Sequence, residues 1–145
     1  EGRWLDYVAG LREIYRSRRD AMLEALGRFF PAEASWSHPE GGLFCWATLP
    51  GYIDTTDLLA RALRDNVAFV PGAAAYVDGS AGSHSMRLNF SGSNEDEIRE
   101  GIRRIGRVVS EQVELFESIT GEHRTTNDER RTTPGAVLPF PRRDR

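Results

Sequence analysis

The 145 residues, 39 % hydrophobic and 28 % charged, have the size and make-up of one globular domain with a real hydrophobic core. A net charge of −3, with acids interleaved among the arginines, leaves no nucleic-acid footprint, and no apolar run approaches the roughly 20 residues of a membrane span. All 19 basic residues are arginine, so no lysine Schiff base, P-loop lysine or lysine general base can come from this chain.

The single cysteine, Cys45, precludes an internal disulfide and fits a reducing cytoplasm, and the N-terminus has no signal-peptide pattern. The sequence opens at Glu1 in mid-pattern without an initiator methionine, which points to a piece of a longer chain.

From Trp4 to about Phe30, the residues Trp4, Val8, Leu11, Tyr15, Met22, Leu26 and Phe29 recur at helical spacing until Pro31 stops the pattern. Such a helix, on the order of 40 Å long, exceeds the needs of a small domain. Its arginines Arg16, Arg18 and Arg19 read as a solvated face. Ala34–His38 predicts a short strand, Pro39–Gly42 a turn, and the nearly continuous apolar run Leu43–Leu49 a strand covered on both faces. Cys45 then reads as a packed core thiol rather than a nucleophile.

Asp54 or Thr55 can cap a helix whose buried stripe is Leu58, Leu59, Ala62 and Leu63, and Asn66 suits the left-handed position at its end. Val67–Val70 predicts a strand broken by Pro71-Gly72, followed by a loop with the composition of a mobile segment. Met86–Phe90 alternates, placing Met86, Leu88 and Phe90 on one face with Arg87 and Asn89 on the other. A guanidinium on a stiff strand suits bidentate capture of a carboxylate. Ser93 or Asn94 caps a final helix with the stripe Ile98, Ile102, Ile105, Val109 and Phe116. The composition of Gly121–Arg145 predicts a disordered polar tail, which sets the division at residues 1–120 and 121–145. The histidines and Cys45 have no metal-ligand spacing, and no G-x-S-x-G elbow is present.

Four stretches in order carry a resemblance: Y-R-S-R-R-D-A-M at Tyr15–Met22, P-E-G-G-L-F-C-W at Pro39–Trp46, N-V-A-F-V-P-G at Asn66–Gly72, and M-R-L-N-F-S at Met86–Ser91. Over Arg3–Glu117 the chain resembles the C-terminal small domain of fold-type I, class I/II aminotransferases that depend on pyridoxal 5'-phosphate. The likeness is to the 2-aminoadipate and kynurenine type. It implies an α/β (α+β sandwich) fold, a small, mostly antiparallel sheet with helices on one face. It also implies that Arg87 binds the substrate α-carboxylate, that Tyr76 lies on the substrate-side loop, and that Gly41, Gly42, Pro71 and Gly72 shape turns.

The family's Schiff-base lysine and cofactor anchors belong to an N-terminal large domain and match nothing here, so this chain carries no catalytic residue and alone is expected to be inactive. An amino acid/2-oxo acid substrate pair, a homodimeric parent and a cytoplasmic location complete the expectation, with no nucleic-acid or membrane partner. Two alternatives stand beside it: an effector-sensing domain of a fused transcription regulator, which keeps the fold, and an unrelated, non-catalytic α+β interaction module with Arg87 in bulk solvent.

Overall fold

The structure, a computed structural model, describes residues 2–77 and 81–121. Helix α1 (Gly2–Phe29) leads into β1 (Ser35–Trp36) and β2 (Phe44–Thr48); α2 (Thr55–Arg64), β3 (Val70–Pro71), a 3-10 turn (Gly72–Ala75), β4 (Ser85–Asn89) and α3 (Glu95–Thr120) follow. The four strands form one antiparallel sheet in the order β1-β2-β4-β3. This is the expected α/β arrangement.

Helices α1 and α3 pack together and supply much of the core. The C-terminal half of α1 gives Met22 and Leu26, and α3 gives Ile98, Ile102, Ile105 and Val109; all are buried. Cys45, Ala47, Met86, Leu88 and Phe90 meet them from the sheet. Period-two alternation therefore commits one sheet face to the core and turns the other outward.

Local chemistry fixes the helix ends. The Asp54 carboxylate accepts from the backbone N–H groups of Thr56 and Asp57 at 2.8 and 3.3 Å. Asn94 and Glu97 form a reciprocal capping box at 2.9 and 3.0 Å. Glu95, Asp96 and Glu97 also place negative charge at the positive end of α3.

The sheet departs from expectation in several places. The strand expected at Val67–Val70 pairs only through Val70–Pro71. Asn66 adopts φ 55°, and the Val67 N–H turns back to the Ala62 carbonyl at 3.1 Å, so this stretch completes a helix terminus before it can join the ladder. The strand expected at Ala34–His38 narrows to Ser35–Trp36. β2 is not covered on both faces: Cys45 and Ala47 are buried, whereas Phe44 and Thr48 are exposed. Its continuous apolar character comes from aromatic side chains on the open face.

Three helical expectations also change. Leu63 of α2 is exposed, and Phe116 of α3 leaves the core to stack on Tyr52 at 3.7 Å. Arg16 is solvated as expected, but Arg18 and Arg19 are only partly exposed and reach loop carbonyls, because loops close over the middle of α1. The N-terminal half of α1 has no buried residue; Trp4 is 67 % exposed and Leu5 68 %. The expected disordered tail lies outside the described residues apart from Gly121, whose φ of 72° closes α3.

The contact between α1 and α3 depends on Gly106. A Cβ there would lie 2.5 Å from the Phe29 carbonyl oxygen and 2.9 Å from its carbon. Gly106→Ala should cost about 1–3 kcal/mol of stability by urea unfolding, because the helix backbones must separate. Gly101→Ala is the matched control. Its Cβ would meet Val67 at an ordinary 3.7 Å, and better helix propensity should leave it neutral or up to about 1 kcal/mol more stable.

Along α3, Arg103 and Arg104 donate to Glu100 at 2.7–2.8 Å. Arg104 also donates to the Asp65 carbonyl and Arg107 to the Asp65 carboxylate, tying α3 to the end of α2. Hydrogen bonds from these two arginines, Arg103 first, hold the Glu100 carboxyl down to about 2. A depressed carboxyl stabilises the fold fully above its unfolded value of about 4.3 and loses that contribution as pH falls toward about 2. The stability difference between wild type and Glu100→Gln should therefore shrink in denaturation curves taken from pH 5 down to pH 2.

Candidate functional site

Met86 and Leu88 are held in the core, so Arg87 between them must project from the open face. The register sets its neighbours: Arg87 lies opposite Trp46 on β2 and opposite Val70 on β3. Phe44, two residues before Trp46, extends the same face. Its ring centroid lies 4.3 Å from the Arg87 Cζ, in cation–π contact.

This stacking decides what the guanidinium can do. Its N–H groups radiate in the plane of the group, so an aromatic ring against one face leaves the donor edges available. Among the described residues, Arg87 has no hydrogen bond or ion pair, and its Nε is buried without a partner. A buried N–H without an acceptor is costly, and no hydrogen bond or ion pair among the described residues commits the guanidinium to a partner within the chain. A carboxylate offers the two acceptor oxygens that the arginine fork matches.

Tyr76 lies at the end of the 3-10 turn that leaves β3, and it is half exposed. Its ring lies against Gly82, which has φ +74° and no room for a Cβ beside the ring. The turn itself requires glycine at Gly72, where a Cβ would collide with Ser85 Oγ and the Gly82 carbonyl. That close approach agrees with a turn-shaping role for Pro71-Gly72. Beyond it, the buried Thr55 takes the Ser83 carbonyl through its N–H at 2.7 Å and its hydroxyl at 3.0 Å. Leu49 N–H donates to the His84 carbonyl at 2.8 Å. The return of the loop toward β4 is thus pinned, against the expectation of simple mobility.

Sequence reasoning singled out Arg87 and Tyr76 but missed Phe44. The alternation of β2 carried the signal, since Phe44 and Trp46 share a parity opposite to the buried Cys45 and Ala47. Cys45 is in the core as expected; burial pushes its thiol up, and Sγ donates to the Ser37 carbonyl at 3.2 Å. No group of three His, Cys, Asp or Glu among the described residues could hold a metal. None of the described helices is long and apolar enough to cross a membrane.

Residues 3–105 match the family described as aminotransferase class I and II, and the chain belongs to that family. It is 45 % identical over 114 residues to aromatic-amino-acid aminotransferase 1 of Thermococcus litoralis, covering 78 % of this chain and 27 % of that protein. A 2-aminoadipate transaminase of Thermus thermophilus is 40 % identical over 99 residues, 68 % of this chain and 25 % of its own. Among solved structures, a Pyrococcus horikoshii kynurenine aminotransferase in complex with PMP is similar with a TM-score of 0.73 at 44 % identity. That likeness covers 77 % of this chain and 28 % of the other.

The chain thus spans about a quarter of the length of the relatives it matches. The cofactor implied by the family is pyridoxal phosphate. With no lysine in 145 residues, this chain does not fit its covalent attachment.

Proposed function

We propose that this chain is the substrate-carboxylate-binding small domain of a pyridoxal-phosphate-dependent aminotransferase, which moves an amino group between an amino acid and a 2-oxo acid. The free donor edge of Arg87 beside its Phe44 platform carries this reading. Arg87 takes the α-carboxylate through parallel charge-assisted hydrogen bonds, and Tyr76 borders the substrate from the loop side. Fixing one end of the amino acid orients its α-carbon and converts part of the reaction's entropic cost into binding.

When bound in the complete protein, the cofactor supplies the electron sink for chemistry at that carbon. The lysine and cofactor anchors come from a large domain outside this chain. The open sheet face and the exposed N-terminal half of α1, with Trp4, Leu5 and Tyr7, suit contact with that domain. The parent is a homodimer of the cytoplasm, with no nucleic-acid or membrane partner for this part. Residues 1–120 form its folded unit and 121–145 a tail. Similarity to aminotransferases for aromatic amino acids and 2-aminoadipate favours an enzyme over a fused regulator. The half-buried state of Arg87 disfavours a surface interaction module with the arginine in bulk solvent.

Truncating one partner of a buried, hydrogen-bonded charge pair costs about 2–5 kcal/mol. In the full-length enzyme, Arg87→Ala should therefore lower kcat/KM for an α-amino acid by roughly thirty- to several-thousand-fold. Arg87→Lys should recover only part of this, since lysine offers a point charge without the fork. The matched amine lacking the carboxylate should be nearly indifferent to either change. Equal damage to both substrates, or to neither, would make Arg87 structural.

The 145-residue chain alone, with its α-amino group blocked, should turn over no amino acid when supplied with pyridoxal phosphate. Measurable transamination by that purified chain would overturn the assignment of the catalytic centre to a separate domain.

A further inference from the structure

Three consecutive side chains at the middle of α1 hold two loops and the first turn of α3. Ser17 Oγ donates to Glu95 Oε1 at 2.6 Å, on the first turn of α3. Arg18 Nη1 donates to the Ser91 carbonyl at 2.5 Å, just beyond the end of β4. Arg19 Nη1 reaches the Pro39 carbonyl at 3.4 Å, before the turn into β2. Neighbouring side chains on a helix point about 100° apart, so one short stretch can reach several segments that converge on it.

The Arg18 contact leads to the candidate site. Ser91 donates from both its N–H and its hydroxyl to Asn89 Oδ1, each at 2.7 Å. Asn89 pairs in register with Phe44, and the Phe44 ring carries the Arg87 guanidinium. The Phe90 N–H closes the same end of the sheet on the Leu43 carbonyl at 3.1 Å. A continuous series of contacts thus runs from α1 through Ser91, Asn89 and Phe44 to Arg87. The Arg18 Nε is buried without a partner, and the guanidinium is held to the β4 exit through Nη1.

We propose that Arg18 is a positioning residue for Arg87, bracing the exit of β4 against α1 so that the Phe44 platform and the guanidinium keep one geometry. It touches neither substrate nor cofactor. Its functional consequence rests on the carboxylate-binding reading of Arg87; its structural consequence does not.

Two measurements separate these. In the 145-residue chain, Arg18→Met should shift the Arg87 Nε–H resonance and speed hydrogen exchange at the Phe90 amide by roughly tenfold or more. Ser17→Ala, which breaks only the neighbouring contact to Glu95, should leave both unchanged. If Arg18→Met does not fold, Arg18→Lys serves, with the same signs and smaller effects. An unchanged Arg87 resonance, or equal responses to the Arg18 and Ser17 variants, overturns the brace.

In the full-length holoenzyme, Arg18→Met should raise KM for an α-amino acid by roughly threefold or more, because apparent affinity falls with the fraction of Arg87 held in its binding geometry. The value of kcat should stay within about twofold, and the amine lacking the carboxylate should be unaffected. Carboxylate-selective loss with Arg87→Ala but none with Arg18→Met would overturn the brace's functional role. Absence of selectivity in both, with the resonance shift intact, would reject the carboxylate reading and leave the brace standing.

Discussion

The open face of the sheet depends on one packing constraint. Met86 and Leu88 are driven into the core formed by α1 and α3, and strand geometry then leaves the residue between them no choice of side. A one-residue slip of β4 would bury a guanidinium and expose two apolar side chains, so the hydrophobic core enforces the register. The same parity in β2 turns Phe44 and Trp46 outward beside Arg87. Core packing and the candidate binding face are two consequences of one alternation.

Helix α1 belongs to two environments. Its C-terminal half contributes Ala21, Met22, Ala25 and Leu26 to the core, while its N-terminal half exposes Trp4, Leu5, Tyr7 and Ile14. The change falls just after Ser17, Arg18 and Arg19, whose side chains tie down two loops and the start of α3. A helix continuous across that boundary holds its exposed end in a fixed relation to the sheet. An apolar surface of this kind is ordinary for a segment that meets another body and unusual for one facing water.

Much of this was legible in the sequence because the signals were local. Helical periodicity located the long α1 and α3, and alternation in Met86–Phe90 assigned Arg87 to the outward face; capping chemistry narrowed the helix starts to Asp54 or Thr55 and Ser93 or Asn94, of which Asp54 and Asn94 are the caps. Resemblance in four ordered stretches supplied the family, which residues 3–105 match. Other readings failed where local signals compete. Val67–Phe69 has strand-like composition, yet the Asn66 reversal and the bond from Val67 to Ala62 hold it out of the ladder. The apolar run in β2 looked doubly covered, although an aromatic open face produces the same composition.

By itself, the sequence determined the element types, the parity of β4, the absence of any lysine and the core position of Cys45. These follow from period, composition and capping chemistry, all properties of neighbouring residues. Only the tertiary structure decided that Phe44 lies against the Arg87 guanidinium, that Gly106 admits the backbone of Phe29, and that Arg18 reaches Ser91. Each joins residues more than 40 positions apart, so strand pairing and helix packing had to bring them together before any local rule could apply.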